Sequence, residues 1–447
     1  MNKLSIKSWY LLFPILLLAV SLRLFNLPER VIFDADQEFA ATFAYEVLKI
    51  FPVRLIGQGL SVQSLFMGPL YFYFLVPFFA ISRLHPIGGY IGSIALGLIT
   101  ISLYFWVFKS VFGTKAGLIA AYLRTILFFS VQTDLLMTPA FSSDLAVVLT
   151  WYCFYKYWHD KHFYLLPLSF LFGLYTSFHP ILFPFYFILP VLFLLKRHFP
   201  PPKYLILSFL CFLLPLSPLL IFEYFHNFTE IKALFLIKNS GSSEIKTVSI
   251  LIDYLKIIFI YPVRMLGISL PDKIVLVLAF IFYSLSSIFI ARKISFWKQS
   301  FHRIFPLTTF IIFLLYYFIL PVHVPDYYFS AVFTVIFIYF AGNISIMLKK
   351  KQFISAFFLL LLITLTNFVR LHQSFTSPFR ASLKDKETVI RTIRRLSPDN
   401  NMKVYYDTDL GLHFGLGYLQ RYYGMEANGG PGTPEYIIVI PSSRRKN

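Results

Sequence analysis

Three carboxylates, Asp34, Asp36 and Glu38, lie close together in RLFNLPERVIFDADQEFAATFAYEVLK, just beyond the first apolar run of the chain. A carboxylate within hydrogen-bond reach of a hydroxyl can take its proton and make a poor nucleophile useful. The same residue types also suit a helix start, where Asp favours the N-cap and negative charge complements the dipole. Asp34 fits that capping role as well as a chemical one. Further candidates stand at the ends of later apolar runs: Asp134, His179, Glu223 with His226, and His323 with Asp326. Ionisable groups at membrane depth are costly enough to be functional by default. Each also has a plainer use. His179 precedes Pro180 and can close a helical hairpin, Glu223 and His226 can form an ordinary interfacial pair, and Asp134 and Asp326 can be solvated turn residues. Arg124 and Asp144 can pair inside a bundle. Arg23, late in the first run, is expected to snorkel outward, where it would suit a lipid phosphate.

These groups sit on a chain built for lipid. Of its 447 residues 57% are hydrophobic and 14% charged, and the mean hydropathy is +0.70, beyond what a water-soluble surface tolerates. The 54 Phe and 29 Tyr suit helices that pack in lipid and anchor at the headgroup level. A net charge of +19 would also suit nucleic acid, but the bases cluster in short links between apolar runs and form no continuous face. Orientation in the bilayer accounts for them, and no nucleic-acid partner is expected. Cys153 and Cys211 lie inside apolar runs and offer neither a disulfide framework nor metal spacing. The first run, WYLLFPILLLAVSLRLFNL, is too long for a signal-peptide core and lacks a small-residue cleavage site, so it is expected to remain as an anchor.

Eleven runs are long enough to span or nearly span the membrane: 10–27, 86–108, 116–133, 139–155, 163–178, 180–195, 204–222, 274–291, 304–322, 327–348 and 352–369. A hydrocarbon core of about 30 Å sets that length. The stretch 163–195 would overshoot it as one helix, so a break is placed at His179 and Pro180. Residues 68–82, GPLYFYFLVPFFAIS, pose the harder choice, and charge decides it. With eleven spans and the amino terminus inside, the cytoplasmic links collect bases such as Lys109, Lys156, Arg197, Arg292 and the Lys349–Lys351 run against a single acid, Asp160. A twelfth span would move most of these bases outside, against the positive-inside bias. Residues 68–82 therefore read as an interfacial or re-entrant helix on the outer side. The expected fold is an all-α polytopic membrane protein, 1–371, with outer loops at 28–85 and 223–273. A small α/β extracytoplasmic domain, 372–447, follows it, in which ASLKDKETVIRTIRRL has helical periodicity and KVYYD and EYIIVI read as strands. No Gly-rich phosphate loop joins a strand to a helix, which argues against an ATP-driven machine.

The order of several segments resembles the start of the GT-C membrane glycosyltransferases, in particular the protein O-mannosyltransferase and lipid A aminoarabinose transferase branch. The segments are RLFNLP from Arg23, FDADQE from Phe33, LIG from Leu55 and GPLYFY from Gly68. VFGTKAGLIAAYL, PLLIFEYFHNFTEIKAL and PDYYFSAVFTVIF continue the resemblance to about residue 350. In that family an outer loop after the first helix holds an essential acidic residue, which places the role on Asp36; Glu38 is a second candidate, since the family's frequent Asp-Glu pair is here Asp36-Gln37. The family's PPLYYW-like stretch begins here with Gly68, and Met67 stands where some relatives have lysine.

The resemblance implies transfer of a sugar from a polyprenyl-phosphate donor at the outer surface to a lipid, glycan or protein hydroxyl, with inversion and Asp36 as base. Arg23, Lys256, Arg264 and Arg370 are expected near the outer interface, where a cation would stabilise the leaving phosphate. Asp134, His179, Glu223, His226, His323 and Asp326 would line the substrate cavity. A divalent cation is conceivable from the ligand types of His226, Glu223, His179 and Glu38, but no His-x-x-x-His spacing supports it. A polymerase or ligase for lipid-linked glycans would share this layout. A transporter would show paired repeats and polar groups near the bilayer midplane, which are not visible here.

Overall fold

The computed structural model describes residues 6–60, 64–196, 199–233, 248–267, 300–319, 325–349, 352–376, 381–398, 402–408, 413–425 and 433–440, with 271 and 411 singly. Helices dominate. The segment after α1 (Ile6–Leu24) holds the short α2 (Leu27–Arg30), α3 (Ala35–Lys49) and α4 (Leu70–Ile81). The bundle continues through α5 (Ile87–Phe112), α6 (Thr114–Ile126), α7 (Phe128–Asp134), α8 (Ser143–Trp158), α9 (Leu165–Phe178), α10 (Pro184–Lys196) and α11 (Pro202–Phe225). It resumes in α12 (Val248–Met265), α13 (Ser300–Ile319), α14 (Ser330–Lys349) and α15 (Phe353–Thr376).

Among the described residues five helical segments are long and apolar enough to cross a membrane: Ile87–Phe112, Pro202–Phe225, Phe301–Ile319, Asp326–Leu348 and Phe353–Thr376. The run read as one span at 116–133 is instead two helices, α6 and α7, bent by 69°. Leu127, with ψ at 121°, interrupts the helical ladder there. The amide that the break exposes is not wasted, because Phe128 N donates to Asn367 Oδ1 at 2.8 Å. Asn367 is fully buried and its Nδ2 donates to Leu266 O, also at 2.8 Å. A sharp bend at membrane depth is stable when a side chain takes up the freed backbone group, and Asn367 does so while joining α15 to the end of α12. The expected break in 163–195 falls at His179, which is extended at φ −165° and ψ 140° between α9 and a 3₁₀ turn at Pro180–Leu182. The run at 274–291 lies outside the described residues.

α8 lies deep in the bundle. Trp151 is fully buried and belongs to one apolar cluster with Tyr104 of α5, Leu123 of α6, Phe172 of α9 and Phe301 of α13. A second cluster joins Phe33, Ala40 and Phe43 to Phe72, Leu75 and Tyr90, so α3 and α4 pack on the start of α5 as one layer.

The C-terminal segment forms α16 (Leu383–Leu396), β1 (Lys403–Thr408), α17 (Leu416–Tyr422) and β2 (Glu435–Ile440). β1 and β2 pair in parallel, from Lys403 opposite Glu435 to Thr408 opposite Ile440. Ser382 and Asp385 form a capping box at the start of α16, which satisfies donors that the first turn leaves open.

Candidate active site

α3 begins at Asp34, whose amide donates to Gln37 Oε1 at 3.2 Å and whose carbonyl accepts from Glu38 N at 2.8 Å. That reciprocal start leaves Asp36 in the first helical turn with its side chain unclaimed by the cap. Asp36 Oδ1 accepts a 2.7 Å hydrogen bond from Gln58 Nε2. Gln58 rides on a short antiparallel hairpin closed by Met67 N donating to Gln58 O at 2.8 Å and Leu60 N donating to Leu65 O at 2.8 Å. Gly68 N then donates to Ser177 O at 2.6 Å, fixing the hairpin to the end of α9 beside His179. Tyr71 and Tyr327 both lie within electrostatic reach of the Asp36 carboxylate. The His179 ring lies 6.2 Å from that of Tyr327 and 5.5 Å from that of Tyr328. Residues from four distant parts of the chain thus meet around Asp36. Burial holds the His179 imidazole down at about 4, so the ring is neutral at pH 7. Its Nδ1 accepts from Ile181 N at 3.2 Å, which leaves the proton on Nε2 as a hydrogen-bond donor rather than a cation.

The C-terminal segment holds this corner in place. Glu38 Oε2 accepts from Gly415 N and Glu38 Oε1 from Tyr418 N, each at 2.8 Å. Glu38 is therefore a capping carboxylate for α17, the geometry that backbone donors and a helix dipole favour, and both of its oxygens are engaged. The sequence offers Glu38 beside Asp36 as a second candidate acid; in the fold its two oxygens meet the start of the C-terminal helix. Gly415, at φ 83°, is needed there, since a Cβ would lie 2.3 Å from Phe33 O. Lys386, 3% exposed, donates to Phe33 O and Phe414 O at 2.7 Å each. Burial lowers its ammonium to about 8. Leu383 N to Val31 O at 2.9 Å and Tyr418 Oη to Leu84 O at 2.7 Å complete the attachment.

A second polar group lies inside the bundle. Arg23 Nε donates to Asp134 Oδ2 at 2.7 Å, and Arg124 reaches both oxygens of Asp134, at 2.7 and 3.0 Å. Arg124 Nε also donates to Asp144 Oδ2 at 2.5 Å. Two arginines and two aspartates therefore neutralise one another. Arg23 is fully buried, so it does not snorkel to the surface; Asp134, 5% exposed, is not a solvated turn. α5 can approach this network only because residue 97 is glycine: a Cβ there would lie 2.4 Å from Asp134 Cγ. Small cavities of about 10 and 30 Å³ flank the pair Asp134 and Asp144. A single water needs about 10–15 Å³, so these spaces suit water and not a sugar.

Comparison with known proteins gives this geometry a context. Residues 67–222 match the family model of the dolichyl-phosphate-mannose-protein mannosyltransferases. Among solved structures, ArnT from Cupriavidus metallidurans bound to undecaprenyl phosphate aligns at TM-score 0.53 and 14% identity, over 93% of this chain and 85% of that one. The same protein in the apo state aligns at TM-score 0.54 and 12% identity, over 98% and 86%. The chain has the fold of these ArnT structures. An oligosaccharyltransferase from Archaeoglobus fulgidus, in complex with zinc and sulfate, aligns at TM-score 0.48 and 13% identity, over 95% of this chain and 62% of that one. No curated protein matches at the sequence level.

The remaining candidates separate into groups. Glu223, 5% exposed, accepts from Glu230 N at 3.0 Å and Ile231 N at 3.2 Å, so it caps the turn after α11. His226 is exposed at the end of α11, stacked 3.9 Å from Phe222 with its Nδ1 2.8 Å from Phe222 O, a local arrangement. Asp326 opens the 3₁₀ turn Asp326–Phe329 that carries Tyr327 and Tyr328 to His179, and so belongs to the Asp36 side. Arg264, exposed in the last turn of α12, offers its carbonyl to Arg370 Nη1 at 3.1 Å, and Arg370 lies 5.3 Å over the Phe128 ring at the α6–α7 bend. Lys256 pairs with Asp253 at 2.9 Å on the exposed face of α12. His323 lies outside the described residues. Among the described residues no three His, Cys, Asp or Glu side chains gather in a metal-binding group, and Glu38, Glu223, His179 and His226 are dispersed over separate contacts. Gln58 and Lys386 escaped the sequence reading. Gln58 did carry a signal, its place between Gly57 and Gly59, since paired glycines mark a tight turn.

Proposed function

We propose that this membrane glycosyltransferase moves a sugar from a polyprenyl-phosphate donor to a hydroxyl acceptor on the outer face of the membrane, with inversion and with Asp36 as the base. The observation that carries the reading is the state of Asp36. Among the described residues the only hydrogen bond to its carboxylate is from the neutral Gln58, whereas Glu38, Glu223, Asp134 and Asp144 are engaged by backbone amides or arginines. A carboxylate oriented by one amide and not neutralised by a cation can accept a proton from an incoming hydroxyl. One base and a single displacement give inversion.

The undecaprenyl phosphate bound by the similarly folded ArnT supports a lipid-phosphate donor here. With Arg23 committed inside the bundle, Arg264 and its neighbour Arg370 are the arginines best suited to meet the leaving phosphate, since charge-assisted donors stabilise charge as it develops. His179 would add a neutral donor from Nε2. The outer placement follows from the basic links of the opposite side. We read residues 1–371 as the catalytic membrane unit and 372–447 as an extracytoplasmic unit that steadies α3 through Glu38 and Lys386.

The test is transfer of radiolabelled sugar from a panel of undecaprenyl-phosphate donors, in membranes holding the wild-type chain or Asp36→Asn. Product that depends on donor and disappears in the variant, at equal expression, is expected. Equal product in both would remove Asp36 from the mechanism.

A further inference from the structure

The cavities of the bundle have room for water alone, whereas the C-terminal segment holds a larger one. It measures about 340 Å³ and lies between α16, the start of α17 and β2. Cavities that take small molecules run from ~300 Å³ upward. The wall is aliphatic apart from two charged residues: it includes Val389 of α16, Leu416 of α17, and Val439 and Ile440 of β2. Val389 and Val439 are 37% and 54% exposed, so the cavity is open to solvent. The charged members are Asp385 and Lys386, and they are not equivalent. The Lys386 ammonium is buried on the carbonyls of Phe33 and Phe414. Asp385 is exposed, and the helix cap uses its Oδ2, which accepts from Ser382 N at 3.0 Å and Ser382 Oγ at 2.8 Å. Among the described residues nothing donates to Asp385 Oδ1.

We propose that this cavity binds the saturated chain of a lipid acceptor, with a hydroxyl or amine of its headgroup donating to Asp385 Oδ1. The inference rests on the sugar transfer to a hydroxyl proposed above. Size and chemistry narrow the occupant. An engineered apolar cavity of ~150 Å³ holds benzene, so this one has room for a chain of roughly ten carbons. A peptide brings a backbone donor and acceptor at almost every residue, which an aliphatic wall leaves unmet; a saturated chain brings none. The exposed charge is negative and repels a phosphate headgroup, which sets aside the polyprenyl-phosphate donor and the phospholipids of the bilayer. The cavity is also fastened to the helix that carries Asp36. Lys386 grips Phe33 O, and Gly415, the residue before Leu416, donates its amide to Glu38 Oε2, so two sides of the cavity hold the start of α3.

The experiment uses the full chain in lipid nanodiscs with Cys211→Ala, since Cys153 is buried. Val389→Cys places a thiol in the cavity wall and Thr392→Cys one on α16 outside it; both are labelled with a charged, water-soluble maleimide. The probes are 1-butanol, 1-hexanol and 1-octanol at measured free aqueous concentration. They are expected to slow labelling of Val389→Cys and not of Thr392→Cys, with the half-point falling about fourfold per methylene. Octanoate at pH 7 should need roughly tenfold more than 1-octanol, and Asp385→Asn should close that gap. Labelling of Val389→Cys that 1-octanol leaves unchanged would overturn the site, and octanoate protecting as well as 1-octanol would overturn the role of Asp385. In native membranes 1-octanol should also lower transfer from undecaprenyl-phosphate-linked radiolabelled sugars over the concentrations that protect the thiol. Val389→Trp, which fills the cavity, should lower transfer and make it indifferent to 1-octanol. Wild-type transfer that persists at full protection would overturn the assignment to the acceptor. Protection is read equally well in an Asp36→Asn background, so failure of the base assignment and failure of this site are separate results.

Discussion

Two polar regions of this molecule use the same side-chain types to opposite ends. In the bundle, Asp134 and Asp144 are held by Arg23 and Arg124 in a closed, neutral set with room beside it for water alone. Around Asp36, the carboxylate meets one neutral amide, with Tyr71 and Tyr327 within electrostatic reach. A closed set resists change because removing one member strands the others in low dielectric; among the described residues the Asp36 carboxylate has no cation paired with it. Charge at membrane depth therefore does not identify an active site by itself. What distinguishes the two is whether each charge is already neutralised.

The comparison breaks most visibly at Arg124. Arg124→Met would leave Asp134 and Asp144 short of a cation, a loss of about 3–5 kcal/mol, and little folded protein should survive detergent extraction and size exclusion. A folded, monodisperse but inactive variant would mean that the bundle set acts in catalysis after all. Asp36→Asn should do the reverse, lowering transfer roughly 10²–10⁴-fold with thermal unfolding unchanged. Glu38→Gln keeps the size but weakens two charge-assisted bonds to α17, a cost of about 1–3 kcal/mol, and should show as faster proteolysis of the C-terminal segment with transfer reduced and not abolished. If that variant were as inactive as Asp36→Asn, Glu38 would belong with the chemistry.

The smallest expected effect concerns Glu230, beyond α11. Burial first, and then the nearby Glu223, raise its carboxyl from 4.5 to about 7. Its folded value is thus above the unfolded one, and the folded state prefers the protonated form. Its contribution is fully present below 4.5 and is lost as pH rises towards about 7, so stability should fall across that window. Glu230→Gln should flatten the slope in a melting series from pH 4.5 to 7; an unaltered slope would assign it to other groups.

Much of the architecture is legible in the chain because lipid imposes simple rules. Long apolar runs mark helices, Pro180 after His179 marks a break, and Ser382 before Asp385 marks a helix start, all through interactions within a few residues. The Asp36 position was readable in the same way, since it follows an anchor and opens a helix. Other features depended on side chains brought together from far apart in sequence. The pairing of Arg23 with Asp134 joins residues on different helices, and nothing near Arg23 shows that an aspartate waits for it inside the bundle. Glu38 looks as free as Asp36 until the amides of Gly415 and Tyr418 arrive from the other end of the chain. The bend at Leu127 needs Asn367, and the aim of Asp36 needs Gln58. By itself, then, the sequence determined a polytopic helical membrane protein with an acidic start to the helix after its first apolar run, because hydropathy and capping are local. Which acids remain open to a substrate was decided only by the tertiary structure, because neutralising a charge takes a partner and the partners are distant.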